Sequence, residues 1–212
     1  MYQKGTGSVQ TLDIANYRLF KLGGVDLEKV LILIAGMPGV GKTRFANYLS
    51  EKLQIALISK DKLKEIIWDK VHFDPRIRTE SRFYAGLAYD LSFYFCEMLM
   101  GTSQPVIFES NFNKLSGDKF QPMVQKYGYK VINVLFEGDP EAIRKRFVER
   151  EKSGERHPGL VMYGSFDDIE KFKEAAQIHG NFKYGDVIIN VDATDFSKIS
   201  YDDLVEKILS NK

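Results

Sequence analysis

Gly36-Met37-Pro38-Gly39-Val40-Gly41-Lys42-Thr43 fills every fixed position of the pattern G-x-x-x-x-G-K-[ST]. Its neighbours make it informative. An aliphatic run, Val30 to Ile34, leads up to it, and Phe45, Ala46, Leu49 and Leu53 follow at helical spacing. A strand, a glycine loop and a helix in that order form a phosphate cradle. Gly36, Gly39 and Gly41 let the backbone bend and bring N–H groups close to phosphate oxygens. Pro38, Val40 and Arg44 complete the expected contact surface. A helix starting near Gly41 adds the positive end of its dipole. Lys42 is placed to reach the β- and γ-phosphates, and Thr43 to put its hydroxyl on Mg²⁺. The expected ligands are therefore ATP and Mg²⁺.

Further apolar runs recur along the chain at Ile55–Ser59, Pro105–Phe108, Lys130–Phe136 and Asp186–Val191. Such near-continuous runs suit strands buried on both faces of a parallel sheet. Helical spacing separates them, over Lys42–Lys52, Asp61–Val71, Thr79–Met100, Asp118–Lys126, Glu141–Lys152 and Phe166–Gln177. Ser200 opens a last helix, with Asp203 as a partner in a capping box. Within 79–100, Phe83, Leu87, Leu91 and Phe95 repeat every four residues and predict a buried stripe. Strands alternating with helices predict a three-layer α/β domain. Residues 29–212 form that domain, with an N-terminal extension over 1–28 that either packs on it or binds a partner.

Composition narrows the setting. A chain of 212 residues builds one sizeable core. A net charge of +1 gives no global pull toward nucleic acid or anionic membrane, so a long nucleic acid is not favoured as a partner. Cys96 is the only cysteine and sits among Phe93, Tyr94 and Phe95, which suggests a core residue in a reducing, cytoplasmic protein. Met1–Gly7 has no apolar run of the signal-peptide kind. Arg82, Asp90 and Glu97 interrupt residues 80–100, which therefore read as a buried helix and not a membrane span. The chain is expected to be a monomer or a dimer.

Three further features bear on chemistry. Ser59-Lys60-Asp61 follows the second strand, where a carboxylate near the phosphate loop can accept a proton from an attacking hydroxyl. Lys64, one turn on, can bind an anionic acceptor or the moving phosphoryl group. Asp61 also fits a plain helix N-cap. The third strand ends in Glu109, a candidate to hold Mg²⁺ through water, with Asn111 placed to orient an acceptor. A solvated Glu109 is the alternative. Arg146 and Arg150 share one helix face ahead of a loop with Gly154, Pro158, Gly159 and Gly164. They read either as charge-stabilising groups beside a lid at about 150–165 or as salt-bridged surface arginines. Arg156 and His157 belong to the same lid. Arg76, Arg78 and Arg82 are further candidates for the acceptor's charge. No two histidines have metal-ligand spacing.

In this order, the loop, the strand-plus-Asp helix, the strand-plus-acid and the paired arginines resemble the P-loop kinase group over roughly residues 29–210. Polynucleotide 5′-hydroxyl kinases, zeta-toxin-like kinases and chloramphenicol-phosphotransferase-like kinases are similar, as are AAA-type ATP-binding domains. The resemblance implies a five-stranded parallel sheet in the order 2-3-1-4-5 with helices on both faces and a small lid. It implies transfer of the ATP γ-phosphoryl group to a hydroxyl of a small molecule or a nucleotide or polynucleotide 5′ end. Lys42, Asp61, Arg146 and Arg150 would be catalytic, and Lys64, Arg82 and Asn111 would bind the acceptor. Lys64 stands where an arginine is usual in polynucleotide kinases, and Glu109 where an aspartate is commoner. A plain NTPase and a nucleotide-sensing module are the rival readings.

Overall fold

Val30–Gly36 forms strand β1, and all of its residues are buried. A strand covered on both faces needs a sheet around it and helices above and below. β2 (Ala56–Ser59), β3 (Val106–Glu109), β4 (Lys130–Glu137) and β5 (Val187–Asp192) supply the sheet. It is parallel throughout, in the expected order β2-β3-β1-β4-β5. The computed structural model describes residues 27–161 and 166–212. Most of the expected N-terminal extension, and residues 162–165 of the expected lid, lie outside them.

The helices are α1 (Lys42–Leu53), α2 (Lys60–Val71), α3 (Arg78–Gly101), α4 (Lys114–Tyr127), α5 (Pro140–Lys152), α6 (Ile169–Gly180) and α7 (Tyr201–Ser210). They divide the core in two. On one face, Ile32, Ile34, Val134 and Phe136 pack with Phe45, Phe147, Phe172 and Leu204 from α1, α5, α6 and α7. On the other, Leu31, Leu33 and Phe108 pack with Phe93, Cys96 and Phe120 from α3 and α4. Alternate residues of β1 thus serve opposite faces, as the pleat requires.

Cys96 is fully buried, and burial pushes its thiol up to about 12. It is a core residue with no thiolate chemistry at neutral pH. Among the described residues, no helix is long and apolar enough to cross a membrane.

Three local expectations are corrected. The stripe Phe83, Leu87, Leu91 and Phe95 does not face the core: Phe83 is 67% exposed, and Ala88, Ser92, Phe93, Cys96 and Met100 turn inward instead. α3 is apolar on two sides, and spacing alone does not choose between them. α4 starts at Lys114, a turn earlier than Asp118, because Asn113 and Ser116 form a reciprocal capping box. α6 starts at Ile169 on the Asp168 cap, which leaves Phe166 outside the helix as a plug between Phe147 and Phe172.

Candidate active site

Register brings the functional strand ends together. Ser59 on β2 and Ile34 on β1 are both level with Glu109 on β3. The loop that leaves β1 therefore opens directly beside Ser59 and Glu109, at the carboxyl edge where ligands bind in open α/β sheets. Gly36 turns there with φ 132°, and a Cβ would lie 2.2 Å from the Phe136 carbonyl oxygen. Only glycine fits. Gly41 caps α1 in the left-handed region and offers no side-chain acceptor. The first-turn N–H groups of α1 have no acidic neighbour in that turn either, so they are open to an outside anion. By contrast Ser59, Asn113, Asp139, Asp168 and Ser200 each cap their own helix with a side chain.

Lys42 is 6% exposed, and its ammonium donates to the Met37 carbonyl at 2.8 Å. Burial lowers its pKa to about 8, against the pull of Glu109 and Asp61. Glu109 is buried and accepts from the Ser59 hydroxyl at 2.8 Å and the Thr43 hydroxyl at 3.3 Å. Burial raises its pKa, while Lys42 opposes the shift. Glu109 is therefore not a solvated post-strand acid.

Asp61 is not a cap. Ser59 caps α2 and accepts from the Lys62 N–H, which frees the Asp61 carboxylate to face the cleft. Burial pushes the Asp61 pKa up, but an ion pair with Lys60 at 2.5 Å, then Lys42 and Arg156, bring it down to about 2. Two carboxylates in one site are thus driven apart, Asp61 downward and Glu109 upward. Lys64 is buried, donates to the Ser81 hydroxyl at 3.1 Å and lies over the Phe73 ring. Burial, followed by repulsion from Lys60, lowers its pKa to about 8.

Lys42, Ser59, Asp61 and Glu109 belong to one cleft of about 1100 Å³, and Lys64 is not among its lining residues. Pro38, Gly39, Gly41, Lys42, Thr43 and Arg44 form its floor, joined by Asp61, Glu109, Asn111, Arg146 and Arg150. Gly36 and Val40 serve the floor from beneath, as the turn and as a buried anchor. Arg82 is exposed on α3 and is not among the lining residues, and Arg76 is occupied by Asp74 at 2.7 Å.

The two α5 arginines differ. Arg146 donates to the Thr194 carbonyl at 2.7 Å and to the Ala193 carbonyl, and lies 4.0 Å over the Phe196 ring. Phe196 in turn abuts Gly41. Arg150 leans on Phe147 beside Arg156, which pairs with Glu151. Sequence reasoning missed Ser59, Lys60 and Phe196 as site groups. Ser59 and Lys60 flank Asp61 in the chain and were legible as neighbours. Phe196 lies 153 positions beyond Thr43, and no local pattern marks it.

The described residues 157–160 of the expected lid are seated on α2. The ring of His157 meets Trp68 edge-on, and its Nε2 contacts the Asp69 carboxylate at 3.1 Å. Gly159 lies so close that an added Cβ would fall 2.6 Å from the Trp68 Cβ. Gly159→Ala is therefore expected to unseat this segment from Trp68, with an overpacking cost of about 1–3 kcal/mol. Trp68 is the only tryptophan of the chain, so the emission comes from the one ring that meets Gly159, His157 and His72. The variant should show red-shifted emission and faster acrylamide quenching. Wild-type emission in the variant would show that the lid accommodates the methyl group.

The parallel 2-3-1-4-5 sheet with its glycine loop, Lys42 and Thr43 at the central strand defines a P-loop fold of the kinase type. An AAA domain family model matches residues 31–166, and the chain belongs to that family. No curated protein sequence matches it. Among solved structures it is similar to a candidate kinase from Chloroflexus aurantiacus, at 23% identity and a TM-score of 0.76, covering 87% of this chain and 99% of that one. The APS kinase of Mycobacterium tuberculosis, in complex with AMPPNP and APS, matches at 12% identity and TM-score 0.55, over 88% and 100% of the two chains. A sugar kinase from Janibacter sp. matches at 14% and 0.54, over 86% and 93%.

Proposed function

We propose that this chain is an ATP-dependent phosphotransferase that moves the γ-phosphoryl group to a hydroxyl of a small-molecule or nucleotide acceptor. One observation carries the reading: an ionised Asp61, relieved of helix capping and paired with Lys60, faces the same cleft as Lys42 and the open amino end of α1. A plain NTPase has no need of that carboxylate on the acceptor side. The kinases similar in fold act within the same architecture.

In this reading the triphosphate lies on the loop amides, with Lys42 on its β- and γ-oxygens. The nucleoside packs toward Arg146 and Phe196, whose stacked faces flank Gly41. The acceptor oxygen forms a bond to the γ-phosphorus as the bond to the β–γ bridging oxygen breaks, and the acceptor proton goes to Asp61. Arg150 and Arg156 offset the charge on the moving group. Lys64, whose chain neighbours Leu63 and Glu65 line the cleft, is a buried ammonium with a hydroxyl as its hydrogen-bond partner, suited to an anionic group on the acceptor.

Mg²⁺ fits the residues present. Among the described residues, no group of three or more His, Cys, Asp or Glu could cage a metal. Thr43 and Glu109 stand 3.3 Å apart beside the loop, which suits an ion held mainly by phosphate and water. When bound, it neutralises charge on the phosphates.

The test is a labelled-ATP screen against sugars, sugar acids, nucleosides, oligonucleotides and aminoglycoside-type or phenicol-type antibiotics, with Lys42→Ala as blank. Acceptor-dependent label above that blank is the expected result. Steady ATP hydrolysis that no added hydroxyl compound alters would replace the kinase reading with an NTPase.

A further inference from the structure

Among the described residues, no other element covers an apolar stripe on α3. Phe83 is 67%, Tyr94 60% and Met98 52% exposed, and Leu87 and Phe95 are also exposed. Half-buried Leu91 lies among them. The stripe runs about 22 Å along the helix. Leu87 and Tyr94 are seven positions apart, as are Leu91 and Met98. That spacing keeps side chains on one seam when two helices pair.

We infer that α3 is a self-association surface, packing antiparallel against α3 of a second copy of this chain about a two-fold axis near Leu91. Area supports this occupant. Large apolar side chains bury roughly 150–250 Å² each when fully covered, so these exposures amount to roughly 500 Å² per chain. Two copies then cover roughly 1,000 Å², the lower limit of a specific interface. An isologous contact needs one patch that matches itself, and a stripe centred on its own axis does so. Lipid fits less well. A membrane-surface helix pairs its apolar face with a Lys/Arg-rich one. The charged residues of α3 are Arg78 and Arg82 against Glu80, Asp90 and Glu97.

The interface also continues into the cleft. Phe95 and Met98 line the phosphate cleft on the open side of β2. Antiparallel pairing sets the Leu87–Phe83 end of the second copy beside them, so each copy walls the other's cleft.

Sedimentation from roughly 100 μM down to 1 μM tests this, a range that covers weak specific association. The mass should fall from twice 24.3 kDa toward 24.3 kDa on dilution. Leu87→Glu with Tyr94→Glu should hold the mass at 24.3 kDa throughout, with unchanged far-UV dichroism, because both side chains are outside the core. Under mild oxidation Leu91→Cys should cross-link rapidly and Phe83→Cys slowly, and buried Cys96 contributes to neither. A wild-type chain that stays at 24.3 kDa, a dimer that survives the double substitution, or faster cross-linking at 83 than at 91 would each overturn the proposal.

Discussion

Lys42→Met is expected to weaken ATP binding at least a hundredfold while raising the melting temperature of the ligand-free protein. Both effects come from one buried ammonium. Lys42 is 6% exposed, and among the described residues the Met37 carbonyl is its one hydrogen-bond partner. Burial drags its pKa from 10.5 to about 8, so desolvation outweighs the attraction of Glu109 and Asp61. A depression of that size corresponds to about 3 kcal/mol against the charged form. The sign fixes the pH window. The unfolded chain binds more protons between about 8 and 10.5, so this group's penalty is full below about 8 and fades as pH rises toward 10.5.

Methionine keeps the stem and drops the charge. It also removes the cation facing Glu109 and Asp61, so the net gain is smaller, about 1 kcal/mol or 2–4 °C for a chain of this size. The ligand reverses the order. A triphosphate supplies the anion the ammonium lacks, and binding at a hundred times Kd stabilises by about 2.7 kcal/mol. Wild type should therefore melt below the variant without nucleotide and above it with MgATP. Equal nucleotide-induced shifts in the two proteins would remove Lys42 from the binding site.

This pairing explains why the loop was so legible. Gly36, Gly41, Lys42 and Thr43 are contiguous, and each answers a local requirement: a turn, an open helix end, a cation, a hydroxyl. The strands were legible for a related reason, since burial on both faces of β1 and β4 demands unbroken apolar runs. α3 was not. Its two apolar sides satisfy the same periodicity, and only the placement of β3 and α4 decides that Phe93 and Cys96 go in while Phe83 and Tyr94 stay out. The site was legible where its residues follow strand ends, as with Asp61 and Glu109. It was illegible where it depends on distant loops meeting. Arg146 was readable as a helix-face arginine, but its anchorage on the Ala193 and Thr194 carbonyls and on Phe196 comes from the segment after β5 folding back against α5.

Asp61→Asn is expected to cut phosphoryl transfer by roughly 100- to 10,000-fold, the usual worth of a positioned general base, and to leave ATP affinity within a few fold. The expectation rests on where the carboxylate points and on what holds it. Ser59 performs the capping, so the substitution leaves the start of α2 intact. Lys60 keeps Asp61 ionised, and the resulting pKa of about 2 marks a weak base in the empty site. A bound triphosphate changes that field. Its negative charge offsets Lys42 and Arg156, two of the cations that depress Asp61, so the carboxyl pKa rises when substrate is present. On the proposed reading, the base strengthens only in the loaded complex, where transfer would take place.

The pH profile separates this role from a structural one. Wild-type kcat should lose activity on an acid limb as Asp61 takes up a proton. Lys60→Met should move that limb to higher pH, because removing the paired ammonium lets burial raise the carboxyl further. Glu109→Gln offers the contrast. It should weaken the Thr43 and Ser59 contacts at the phosphate loop and raise the Mg²⁺ requirement, without the same shift of the acid limb. If Asp61→Asn turns over like wild type while Glu109→Gln abolishes transfer, the proton acceptor is Glu109, and the acceptor hydroxyl enters from the β3 side of the cleft.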